Sequence, residues 1–221
     1  MIRQLKILFR LLPLSHRFKL SIIAMSFMNI LGIAMTLIYP GAGIGILFLM
    51  MGPIWMSQLI TSLTVSDMVQ ASPLKKALQT RLVAAATFLS LVVSYLLVIV
   101  LDGINRYLYP AYTDTESIYE RLECCIIIFL FVLYISFCYK YFVLSSIVFF
   151  IGIETITMLS SFERFNPVHH GIAMNVPLPL MTLIGFVVIC LSSLMQYGIT
   201  CLLYRKPLSK AAQCSGLRKQ M

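Results

Sequence analysis

The chain has 221 residues, of which 60% are hydrophobic and only 11% charged, with a mean hydropathy of +0.93 and a net charge of +9. Soluble domains carry roughly 25% charged residues, so this composition excludes an ordinary soluble fold and points to an integral membrane protein read as one membrane domain.

In chain order, residues 1–19 mix Ile2, Leu5, Leu8, Phe9 and Leu12 with Arg3, Lys6 and Arg10 at helical spacing. This predicts an amphipathic helix lying in the membrane interface, ended or bent by Pro13. A signal peptide would need a small-residue cleavage site before the first full span, and none follows. The membrane domain then covers 20–203, with six apolar stretches near 20–39, 43–63, 82–101, 122–139, 141–159 and 177–203. About 20 apolar residues cross the hydrocarbon layer. The stretches are uniformly apolar where barrel strands would alternate, so the predicted class is all-α with six transmembrane helices. Only Lys140 separates the fourth and fifth stretches. A single helix through both would be about 54 Å long, too long for one crossing, so a tight turn is expected there.

Charge sets the expected orientation. With six spans and both termini cytoplasmic, 14 of the 17 Lys and Arg residues fall inside, leaving Arg106, Arg121 and Arg164 outside. The stretch from Asp102 to Glu123 is then an outer loop, and 204–221 is a basic cytoplasmic tail. The positive charge reads as membrane topology, so no nucleic-acid partner is expected.

Motifs for catalysis are scarce. There is no GxxxxGK[ST] phosphate loop and no HExxH. Glu116 and Glu120 read as solvated loop carboxylates. His169 and His170 are adjacent but lack further ligands, and the six cysteines have neither zinc-site nor disulfide spacing. No catalytic residue, metal or cofactor is therefore expected on this chain. Glu154 falls inside the fifth span, where a carboxylate costs several kcal/mol unless paired. It reads either as a cavity residue or as one near the outer headgroups. Asn29, Thr36, Glu154 and Thr157 are the candidate translocation-path residues. Gly41, Gly43 and Gly45 permit close helix approach, with Gly41 and Gly45 at GxxxG spacing.

The polar stretch TVSDMVQASPLKKALQT, Thr64–Thr80, separates the second and third spans. Thr64 or Ser66 can cap a short helix holding Asp67 near its positive end. Met68 and Val69 give it an apolar patch, Pro73 starts a second turn, and Lys75, Lys76 and Arg81 mark the membrane surface. In this layout the chain resembles the small permease subunits of the type-2 ATP-binding-cassette exporter family. The resemblance rests on Asp67, ASPLKK and Arg81 in the 64–81 loop, and on CLLYRKPLSKA after the last span.

That resemblance implies a coupling loop at 64–81, in which Asp67, Met68, Val69, Pro73, Lys75 and Lys76 meet a separate ATPase subunit. ATP and Mg would be bound by that ATPase. It also implies a second permease copy or relative, and short re-entrant helices within Ser160–Val176. The expected function is the permease subunit of an ATP-driven exporter of a peptide, antibiotic or lipid-like substrate in a bacterial plasma membrane. The rivals are a substrate-binding membrane subunit of a vitamin importer and an intramembrane enzyme.

Overall fold

The computed structural model describes residues 2–15, 18–40, 43–65, 69, 75–110, 112–138, 140–161 and 176–204. Among them every regular element is helical. In chain order these are α1 (Ile2–Leu11), α2 (Phe18–Ile38), α3 (Ile44–Val65), α4 (a continuous helical run, Lys75–Leu108), α5 (Asp114–Cys138), α6 (Phe142–Ser161) and α7 (Leu178–Leu203).

Four of these helices, α2, α4, α5 and α7, are long and apolar enough to cross a membrane. Within α3 and α6 the apolar stretches are shorter, Ile44–Ile60 and Val143–Thr155.

The centre is built by α3, α4 and α5, whose Leu49, Met50, Leu91, Tyr95, Ile128 and Phe131 are fully buried. On one side α7 adds Ile189, and its Phe186 meets Tyr95 edge-on at 5.1 Å. On another, α6 stacks Phe149 on Phe131 at 5.1 Å. The α2 helix lies at the rim and shows Ile23, Phe27 and Ile30 outward. It meets α3 closely because Gly45 leaves room for Thr36, where any Cβ would collide.

A second apolar cluster closes the opposite rim. Leu8 and Leu12, one turn apart on α1 and the 3-10 turn after it, bury against Leu59, Ile60 and Leu63 of α3 and Leu78 and Leu82 of α4. Pro13 lies in that turn, Leu12–Leu14, as its missing N–H requires. The predicted amphipathic helix is therefore present, but its inner face is docked on the chain itself. Lys6, Ile7, Phe9 and Arg10 face outward.

Several predicted boundaries change. The third stretch, expected at 82–101, is helical from Lys75 to Leu108, and the fourth, expected at 122–139, begins at Asp114. Of the expected loop 64–81, residues 75–81 are helical and belong to α4, with Leu78, Gln79 and Thr80 buried. The expected outer loop from Asp102 to Glu123 contracts to a connection at 109–113. There Thr113 caps α5: its hydroxyl accepts from Glu116 N at 3.4 Å, and Glu116 accepts from Thr113 N at 2.7 Å. The expected tight turn at Lys140 is present, with Lys140 N and Tyr141 N both donating to Phe137 O.

Candidate functional site

In lipid, apolar contact between helices gains little over contact with acyl chains, so close packing and polar bonds decide which helices hold together. The polar bonds here concentrate at the end of the bundle where α4 runs into α5. Asp102, Asn105 and Arg106 share one face of α4, and Ser117, Glu120 and Arg121 one face of α5, each set at i, i+3, i+4 spacing.

Asp102 is the hub of this polar end. Arg121 Nη2 donates to Asp102 Oδ2 at 2.6 Å, with the two side chains 5% and 4% exposed. Ser117 Oγ donates to Asp102 Oδ1 at 2.5 Å. Arg106 Nε donates to Ser117 Oγ at 3.1 Å, and Arg106 Nη1 pairs with the exposed Asp114 at 2.8 Å. Arg121 Nη1 reaches α7, donating to Leu178 O at 3.3 Å and to Thr182 Oγ1. Asn105 Nδ2 donates to Thr36 O at 3.1 Å and Tyr109 Oη to Leu37 O at 2.9 Å, which ties in α2. Four helices thus converge on one charged pair.

The pair is electrostatically confined. Removing charges from water is costly, and their attraction offsets this only with good geometry and further hydrogen bonds. Asp102 has them on both oxygens. The surroundings are less complete: Asn105 Oδ1, Arg106 Nη2, Tyr112 Oη and Arg121 Nε are buried with no hydrogen-bond partner. Burial pushes the Tyr112 hydroxyl well above the usual tyrosine range, with nearby Glu120 adding to it. Glu123, one turn beyond Glu120, seats its carboxylate over Gly43, which holds a left-handed φ of 64°.

The other end of the bundle is basic. Lys75 and Lys76 open α4, and Arg81 hydrogen-bonds Tyr197 of α7. Lys140 is buried in the α5–α6 turn, and burial holds its ammonium below the usual lysine range, with Lys75 as the second cause. Leu78–Leu82 is a π-helical segment, the wide turn that often marks functional positions in long helices.

The sequence-predicted residues fall apart rather than together. Asp67, Met68 and Pro73 lie outside the described residues, as do the Thr157 side chain, His169, His170, the 205–221 tail and the segment 162–175. Val69, expected with Met68 to give the loop an apolar patch, is 3% exposed within the cluster formed by α1, α3 and α4. Lys76 is exposed and Lys75 partly so. Asn29 donates to Met25 O at 2.9 Å and lies against Gly52; Thr36 is buried, donating to Gly32 O at 2.8 Å. Both belong to the α2–α3 seam, whereas Glu154 is exposed on α6. Glu120, expected to be solvated, is 4% exposed.

Among the described residues no group of His, Cys, Asp and Glu could hold a metal, and the cysteines are free. No family model, curated protein or solved structure matches the chain.

Proposed function

We propose that this chain is the membrane-spanning subunit of a transporter driven by separate ATP-binding-cassette ATPases, working as an exporter. The observation that carries the reading is the single run Lys75–Leu108. At 34 residues it is about 51 Å long. It joins the basic segment expected to meet an ATPase to Asp102 in the buried charged network. A displacement at one end is therefore delivered to the other by one rod, with the π segment beside the input. The charged pair itself supports the reading, because ionisable groups retained in a membrane bundle usually serve a path or a moving element.

In this reading α3 and α6 also cross the bilayer, giving six spans with both termini in the cytoplasm of a bacterial cell. Lys75, Lys76 and Lys140 lie at the cytoplasmic end, and the Asp102–Arg121 network at the outer end. ATP and Mg are held by the ATPases, and a second permease completes the complex. A cycle then needs two states whose contacts with nucleotide-bound and nucleotide-free ATPase differ, since only differential binding shifts a population. The cargo class is the peptide, antibiotic or lipid-like one that the resemblance implies.

The test is purification of tagged chain from its native membranes under mild crosslinking. A cassette ATPase should co-purify, and the complex should hydrolyse ATP in a vanadate-sensitive way. Recovery of the chain without any ATPase would overturn the reading.

A further inference from the structure

The helices of the bundle are not fastened equally. The α4–α5 seam is closed by a buried ion pair, Asp102–Arg121. By contrast, α7 is held to these two by neutral acceptors and donors of its own. Tyr95 Oη donates to Thr182 O at 3.2 Å, Arg121 donates to Thr182 and Leu178, and Gln196 Nε2 donates to Thr87 Oγ1 at 3.2 Å. Only the Arg121 bonds to α7 are charge-assisted and so roughly twice as strong as neutral ones; the Tyr95 and Gln196 bonds along the rest of the seam are neutral.

The polar atoms on this seam are also incompletely bonded. Gln196 is fully buried and its Oε1 has no partner; Ser193 Oγ on the same helix is likewise buried without one, and so is Arg121 Nε across the seam. A buried unpaired polar group costs about 1–3 kcal/mol, and this cost disappears when water reaches it. From Thr182 to Gln196 these groups extend over about 21 Å of α7, with Ile189 and the Phe186–Tyr95 contact between the two polar rungs.

We propose that the face of α7 against α4 and α5 is a closed polar cleft, opened by movement of α7 and forming a hydrophilic passage within one chain. The opening exposes Thr87, Tyr95, Thr182, Ser193, Gln196 and the free edge of Arg121. Hydroxyl and amide groups dominate this set, so the passage suits a hydrated solute bearing amides or hydroxyls and disfavours a lipid tail. This deepens the transport reading and rests on it. It also assigns the path to residues other than Asn29, Thr36 and Glu154, of which the first two lie on the α2–α3 seam and the third on α6.

Met181 of α7 joins Ile118 and Cys125 of α5 in a small apolar cluster at this seam, and that contact supplies a lock. The protein is prepared with Cys125 as its sole native cysteine, with Ser193→Cys as reporter and Met181→Cys as the locking partner of Cys125. In membranes a small water-soluble methanethiosulfonate should modify Ser193→Cys. Oxidising the Cys125–Met181→Cys pair should slow this by roughly tenfold or more, as expected when a local opening is suppressed, and reduction should restore it. Gln196→Cys, a second reporter should one variant fold poorly, should behave alike. A separate variant that keeps Cys190 alone, exposed on the outer face of α7, serves as the lipid-facing control that reacts only with a membrane-soluble reagent. Reporters inert to the water-soluble reagent, or modified at the same rate with the lock closed, would overturn the cleft. The assay needs neither ATPase nor cargo, so a cleft that opens in a chain that binds no ATPase would separate this proposal from the one above.

Discussion

Asp102 on α4 and Arg121 on α5 meet at 2.6 Å, each at most 5% exposed, although Asp102 follows the apolar run of its helix and Arg121 precedes that of its own. Removing one partner strands the other charge in the bundle. Asp102→Asn or Arg121→Gln should therefore cost about 3–5 kcal/mol, while the double change should recover much of the loss. Thermal unfolding of the single and double variants in one detergent checks this. Additive losses would show that the pair is not coupled.

Gly43 is held at φ 64° directly beneath the Glu123 carboxylate. Gly43→Ala meets two penalties: about 1–2 kcal/mol for a left-handed non-glycine residue, and a collision with Glu123. Adding Glu123→Ala should relieve the collision and leave the backbone cost. A double variant no more stable than Gly43→Ala would mean that Glu123 yields freely.

Tyr112 has its hydroxyl buried near Ser117 and Glu120 with no hydrogen bond of normal geometry. Burial raises its pKa, so the folded state prefers the neutral phenol. That contribution is complete below the ordinary tyrosine value of about 10 and is lost as pH rises above it. Unfolding temperature should fall more steeply between pH 9 and 11, on the order of that value, in the native chain than in Tyr112→Phe. At neutral pH this difference should vanish, because the phenol is then neutral in both the folded and the unfolded chain. Parallel slopes would count against the assignment.

Val69 is buried against α1, α3 and α4, and Lys76 is exposed. Val69→Asp should thus lower yield and stability of the chain by itself, by several kcal/mol for a buried unpaired carboxylate. Lys76→Gln should change stability by under about 0.5 kcal/mol. Size-exclusion profiles and melting curves of the isolated chain read both. Native-like stability of Val69→Asp would show that this side chain is not held by the chain's own apolar cluster.

Thr113 is exposed in the connection between α4 and α5. In the proposed six-span orientation, Thr113→Cys in a cysteine-free chain is modified from outside intact cells by an impermeant maleimide, and Lys76→Cys only after permeabilisation. The reverse pattern would invert the orientation.

The helical class and the positions of the long apolar helices were legible because hydrocarbon demands internally bonded backbone, and uniform apolar runs satisfy that only as helices. The tight turn at Lys140 was legible from helix length. The polar end was not, because Asp102, Glu120 and Arg121 were assigned by composition to a loop. Their i, i+3, i+4 spacing on both sides of residues 109–113 was the available signal. It acquires meaning only when the two helices face each other. The burial of Val69 was not legible either: an apolar residue in a polar stretch does not reveal whether its cover is another subunit or the chain's own first helix.

The α4 helix also acts as a gauge. Its apolar middle, Val83–Leu101, rises about 28 Å, close to the roughly 30 Å of a bilayer's hydrocarbon. Arg81 and Asp102 lie just beyond its two edges. A thinner membrane must tilt this helix or draw acyl chains around it, since mismatch is relieved in one of those ways. Tilt carries Asp102 sideways relative to Arg121 on a helix of different length. In the proposed orientation, lipid chain length is therefore expected to bear on the closure of the charged pair without any ligand.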